Sequence, residues 1–98
     1  MGIERDVTAQ VTSAWHTVIA AREAMAASES QVAAAEVALE GAEQELAVGT
    51  RITLDVLDQE RELLEAQLGL VNAQRAYYLA THRLLAAMGR LRPEIIGR

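Results

Sequence analysis

The sequence predicts an all-α chain, a long antiparallel helical hairpin of coiled-coil type. Three observations carry that prediction. First, the composition is that of a helix: 51% of the 98 residues are hydrophobic, 19 of them Ala, with no Phe, no Cys, one Trp, two Tyr and one Pro. Alanine and leucine favour helix, and the shortage of aromatic residues excludes a chain of aromatic-rich strands. Second, apolar residues recur every seven positions over most of the length. Third, only one place in the middle of the chain combines a glycine with a broken repeat. The same numbers exclude other classes. Without Cys there is neither a disulfide framework nor a thiolate metal site. A net charge of −5 and a pI near 4.9 leave no electrostatic footprint for nucleic acid. Alanine buries little surface, so the core is expected to be thin and to need further partners.

The first helix is expected over about residues 4–46. Val11, Val18, Met25, Val32, Leu39 and Leu46 repeat at intervals of seven, flanked by the small column Ala14, Ala21, Ser28, Ala35 and Ala42. The turn follows at residues 47–52, Ala47-Val48-Gly49-Thr50-Arg51-Ile52. Thr53 is placed to cap a second helix, with Ile52 and Leu57 as a hydrophobic staple and Asp55 near the positive end of the helix dipole. That helix is expected over about 53–88, stopping at Met88-Gly89 ahead of Pro93, with residues 89–98 as a short tail. It carries two unbroken columns, Val56, Leu63, Leu70, Tyr77, Leu84 and Leu57, Leu64, Val71, Tyr78, Leu85. The polar column Glu60, Gln67, Gln74, Thr81 falls between them, and Ala66, Ala73, Ala80, Ala87 form a small column that permits close backbone approach. A strict seven-residue repeat implies left-handed supercoiling against a partner. Two columns imply two partners, one in the hairpin and one outside it, so association into a four-helix or larger bundle is expected. Helices of these lengths would make a rod of about 55–60 Å.

Charge is unevenly distributed along that rod. Residues 36–65 hold nine acidic side chains against Arg51 and Arg61, whereas Arg75, Arg83, Arg90, Arg92 and Arg98 lie toward the other end. The longest stretch without a full charge, Val7 to Ala21, is too polar and too short to cross a bilayer. The chain opens Met1-Gly2-Ile3-Glu4-Arg5-Asp6, with charges where a secretory signal would carry its apolar run.

No catalytic motif is present: there is no nucleophile signature and no phosphate-cradling glycine loop. His16 and His82 should lie at similar heights in the hairpin, but a two-histidine metal site lacks further ligands, and two unrelated histidines is the better reading. Trp15, Tyr77 and Tyr78 are read as core packing, since both tyrosines fall in the heptad columns. Asp55 and Asp58, three apart, share a face near the start of the second helix beside Arg51. Favourable dipole placement alone would account for them.

The motifs together carry a resemblance. Asp6-Val7, Ala14-Trp15, Val48-Gly49-Thr50-Arg51 followed by Leu54-Asp55-Val56-Leu57-Asp58, Glu62-Leu63-Leu64-Glu65-Ala66-Gln67, Ala73-Gln74-Arg75-Ala76-Tyr77-Tyr78 and Leu85-Ala86-Ala87-Met88-Gly89-Arg90-Leu91 resemble the TolC family of outer-membrane export ducts in order and spacing. The resemblance spans about residues 5–91 and is strongest in the second half. It implies the last periplasmic hairpin of a trimeric duct of a Gram-negative bacterium, non-catalytic and without cofactor or metal, serving efflux or type I secretion. It implies further that Val48, Gly49 and Thr50 meet a periplasmic adaptor protein that links the duct to an inner-membrane transporter. Asp55 and Asp58 would line the channel constriction, and Arg51 would belong to the network that holds the entrance shut. One departure bears on that network: Leu46 stands where the best-known member carries a tyrosine. A periplasmic adaptor hairpin is the competing reading. Adaptor tips usually place Leu four residues after an Arg and Ser seven beyond that, where this chain has Asp55 and Glu62 after Arg51. A generic antiparallel coiled coil would explain the heptads but not the Val-Gly-Thr-Arg tip. Starting at Met1-Gly2 and lacking strand segments and a first helical repeat, the chain is expected to be a soluble fragment of a larger duct protein.

Overall fold

The computed structural model describes residues 2–91, and these form two antiparallel helices joined by one turn, α1 (Gly2–Ala47) and α2 (Thr53–Leu91). The hairpin measures 71 × 24 × 14 Å. It is longer than the roughly 55–60 Å expected because α1 already begins at Gly2 and α2 runs on through Met88-Gly89 to Leu91. A helical glycine costs only about 1 kcal/mol relative to alanine, so a helix already nucleated propagates past it. The rest of the expected tail, including Pro93, lies outside the described residues. Threonines within the helices are accommodated by bonding backward: the hydroxyls of Thr12, Thr17 and Thr81 donate to the carbonyls of Thr8, Ser13 and Tyr77.

The seam between the helices follows the heptads. On α1 the Val11 to Leu46 column and the Ala14 to Ala42 column turn inward, preceded by Val7. On α2 the inward column is Val56, Leu63, Leu70, Tyr77 and Leu84, and the residues three further on, Gln59, Ala66, Ala73, Ala80 and Ala87, complete the seam. The buried hydrophobic core is small: Ala42, Val56, Ala80, Leu84 and Ala87. Alanine facing alanine lets the two backbones approach closely, and the larger side chains fill the layers between. The second α2 column does not enter this seam. Leu57, Leu64, Val71, Tyr78 and Leu85 are all exposed along the opposite flank, together with Leu54 and Leu68.

The turn is built by one glycine. Gly49 has φ = +83°, the left-handed conformation that side chains with a Cβ rarely adopt. Around it the last carbonyls of α1 are recovered: the Gly49 amide donates to the Leu46 carbonyl at 3.0 Å and the Thr50 amide to the Glu45 carbonyl at 2.9 Å. This pairing is the Schellman termination, and the Thr50 hydroxyl adds a second bond to the Glu45 carbonyl at 3.0 Å. Space is not the constraint, since a Cβ on Gly49 would meet nothing within 4 Å.

Two measurements follow from this packing. Leu84 is 8% exposed and its neighbour Leu85 is 57% exposed. At concentrations dilute enough to keep the hairpin monomeric, Leu84→Ala should lower unfolding stability by about 2–3 kcal/mol and Leu85→Ala by less than about 0.5 kcal/mol, read by urea denaturation followed by circular dichroism. Gly49→Ala should cost about 1–2 kcal/mol through backbone strain alone, and Gly49→Asn, which tolerates the left-handed region, should cost less in the same assay.

Candidate functional site

The residues marked out by the sequence gather at the closed end of the hairpin. Val48, Gly49 and Thr50 form its outermost surface, all exposed, with Val48 at 75%. Val48 therefore takes little part in the hairpin's own packing.

Behind the turn, α2 starts differently from expectation. Thr53 is the first helical residue, not the cap. The capping position belongs to Ile52, whose carbonyl accepts the Asp55 amide at 3.0 Å. Because an isoleucine side chain cannot accept a hydrogen bond, the return contact comes from Asp55, whose Oδ2 accepts the Ile52 amide at 3.5 Å. Of the expected staple, Ile52 and Leu57 are both exposed, and the side chain buried at this level is Val56.

Asp55 and Asp58 therefore have separate occupations. Asp55 is half-buried and helps to close the first turn of α2, where its charge also opposes the positive end of the helix. Asp58 is exposed and lies 3.6 Å from Arg61 one turn along. Arg51, expected beside both aspartates, lies within reach of the Asp55 charge but makes its direct contact with the preceding helix. Its Nε donates to Glu45 Oε2 in a hydrogen-bonded ion pair across the turn. The Glu45 hydrogen bond and charge, and to a lesser extent the Asp55 charge, push the Arg51 guanidinium further toward its protonated form. Glu45 is the member of this cluster that sequence reasoning missed, counted only among the acids of the tip. The available signal was its place: an acid at the third-last helical position before a Gly-terminated turn lies next to the residue that follows the turn. Leu46, half-buried in the seam, contributes its carbonyl to the turn.

Among the described residues the open end of the hairpin holds no comparable cluster. Trp15 and Tyr78 are exposed and only Tyr77 turns into the seam, which corrects the expected aromatic packing. Tyr78 instead stacks obliquely on His82, ring centres 4.2 Å apart, and His82 Nδ1 lies 3.0 Å from the Tyr78 carbonyl. The cause is spacing: Tyr78 lies in the outward column, so its nearest ring partner is one turn away on the same face. Among the described residues no three His, Asp or Glu side chains converge as a metal site, and no helix is long and apolar enough to cross a membrane.

Comparison with known proteins identifies the family. The sequence model described as "Outer membrane efflux protein" matches residues 3–90. The chain is 38% identical over 95 residues to the outer membrane efflux protein BepC of Brucella suis, covering 97% of this chain and 21% of that protein. It is 38% identical over 87 residues to the outer membrane protein TolC of Vibrio cholerae, covering 89% of this chain and 20% of that protein. It thus spans about a fifth of the length of these relatives. No solved structure matches the chain significantly. With a family match that covers nearly the whole chain, and with the heptad seam and the Gly-terminated tip in place, the chain belongs to the outer membrane efflux protein family.

Proposed function

We propose that this hairpin is a wall segment and the periplasmic entrance tip of a trimeric outer-membrane export duct. The observation that carries the reading is the double seam of α2. One heptad column is buried against α1, while the other, Leu57, Leu64, Val71, Tyr78 and Leu85, stays exposed over the same length. A row of apolar side chains spanning four heptads exceeds what a monomer ordinarily leaves open to water. A helix in a tunnel wall needs such a row, because it has a neighbour on each side. The names of the two relatives, an outer membrane efflux protein and an outer membrane TolC, support transport out of the cell as the task.

In this reading the exposed Val48-Gly49-Thr50 turn meets a periplasmic adaptor protein, which connects the duct to an inner-membrane transporter. Asp55 and Asp58, one pair from each protomer, ring the constriction. Six carboxylates around a narrow opening favour cations and bind multivalent ones. Arg51 belongs to the network that keeps the entrance closed. The work is mechanical and electrostatic, and no bond of the exported molecule is made or broken.

The test is single-channel recording of the full-length duct with Asp55→Asn and Asp58→Asn combined. The double variant should assemble with little loss of stability, since acids near a helix start contribute only about 0.3–1 kcal/mol each. Cation selectivity and block by multivalent cations should both weaken. Unaltered selectivity together with unaltered block would reduce the two aspartates to the helix-capping and ion-pairing roles they have within the single hairpin.

A further inference from the structure

We propose that Glu45 is the positioning residue of the entrance: it fixes the Arg51 guanidinium by its Nε edge, so that the Nη groups are presented outward to an acceptor on a neighbouring protomer. The inference rests on the duct reading above.

Local electrostatics make the pair. The last turn of α1 contains Glu45 and no basic residue, although a carboxylate there faces the negative end of its own helix. The positive charge missing from the helix is supplied from beyond the turn. Gly49 reverses the chain, the Thr50 amide and hydroxyl lock onto the Glu45 carbonyl, and Arg51 is carried back over the Glu45 side chain. Arg61, the other arginine of this half, is near Asp58 and unavailable.

Donor arithmetic then shows what is left over. A guanidinium has five N–H donors, one on Nε and four on the two Nη atoms. Arg51 spends the Nε donor on Glu45, and among the described residues no acceptor takes the Nη donors. Asp55, whose charge reaches Arg51, uses Oδ2 on the Ile52 amide. Arg51 remains partly exposed, at 38%, with an unspent fork of donors. A long, flexible side chain held along one edge has already lost the rotational freedom it would otherwise lose on meeting a second acceptor, and the contact is strengthened accordingly. In the single hairpin this partly exposed fork is open to solvent, and in a ring of three protomers a carboxylate or carbonyl of the next copy takes the place of that water.

The experiment is the open-to-closed ratio of the full-length duct in planar bilayers for Glu45→Ala, Arg51→Ala and the double variant, with Asp55→Asn/Asp58→Asn as a control. Alanine favours helix and relieves the unfavourable charge at the end of α1, so Glu45→Ala removes the pair without weakening α1. Glu45→Gln, which keeps the volume and an acceptor oxygen but not the charge, serves if the alanine variant does not assemble, and its effect should have the same sign and smaller size. Glu45→Ala should raise the open-to-closed ratio roughly two- to fivefold. That increase should shrink in high salt and vanish on the Arg51→Ala background, because the two residues act as one unit. A lowered ratio would mean that Glu45 withdraws Arg51 instead of positioning it, and an equal effect with and without Arg51 would mean that it acts elsewhere. Either result overturns the proposal, as does an unchanged ratio where the aspartate control alters cation block. If neither the Glu45 variants nor the aspartate control changes the duct, the entrance reading itself falls.

Discussion

Everything in this structure depends on small residues repeating every seven positions at the contact between two long helices. Ala14, Ala21, Ser28, Ala35 and Ala42 on α1 and Ala66, Ala73, Ala80 and Ala87 on α2 are the small positions withdrawn from solvent, and residues of that size permit close approach of the two backbones. The result is a hairpin with a narrow core, in which the buried hydrophobic residues among those described are three alanines, one valine and one leucine. Burial per residue is small, so cohesion accumulates along the length of the rod instead of gathering at a centre. A hairpin so constructed is thin, and thinness leaves much of α2 uncovered. The uncovered part is a second regular stripe, the feature on which the proposed place in a larger wall rests.

The tip converts that packing into a contact surface. A tight reversal needs a residue in the left-handed region, and Gly49 supplies it without crowding. The Schellman bonds then bring residues separated by six positions together, so that Glu45 and Arg51 close a ring of charge and hydrogen bonds around the turn. Asp55 ties the other side down through the Ile52 amide. Val48 stays exposed on a turn closed by these bonds, and a partner that docks there, as proposed above, would meet a surface already ordered.

Much of this was legible in the sequence. The heptads gave the helices, the coincidence of Gly49 with a broken repeat gave the turn, and the Val-Gly-Thr-Arg tip with its two aspartates pointed to the family. Which of the two α2 columns faces α1 is also encoded, though less openly. A seam needs a second column three residues from the first. For Val56 and its successors that column is Gln59, Ala66, Ala73, Ala80, Ala87, whereas for Leu57 and its successors the residues three before are Leu54, Arg61, Leu68, Arg75, His82. Burying the second set would strand two guanidiniums, so the first must turn inward. The details of the helix ends were less legible, because they are decided by competition between near-equal local bonds. Thr53 is a good cap by type, yet Asp55 reaches the Ile52 amide and shifts the start by one residue. Tyr78 repeats at the right interval for a core, yet belongs to the outward column, and Glu45 looks like one acid among nine until the turn sets it against Arg51.

On this reading the outward column of α2 is a second helix-packing seam. Sedimentation equilibrium of the chain over a wide concentration range tests it most directly, comparing the natural sequence with a variant carrying Leu64→Gln and Val71→Gln, both substituted at exposed positions. The natural chain should self-associate reversibly and the variant should be a monomer, with the helical content of both unchanged. A natural chain that remains monomeric at high concentration, or association that survives both substitutions, would contradict it.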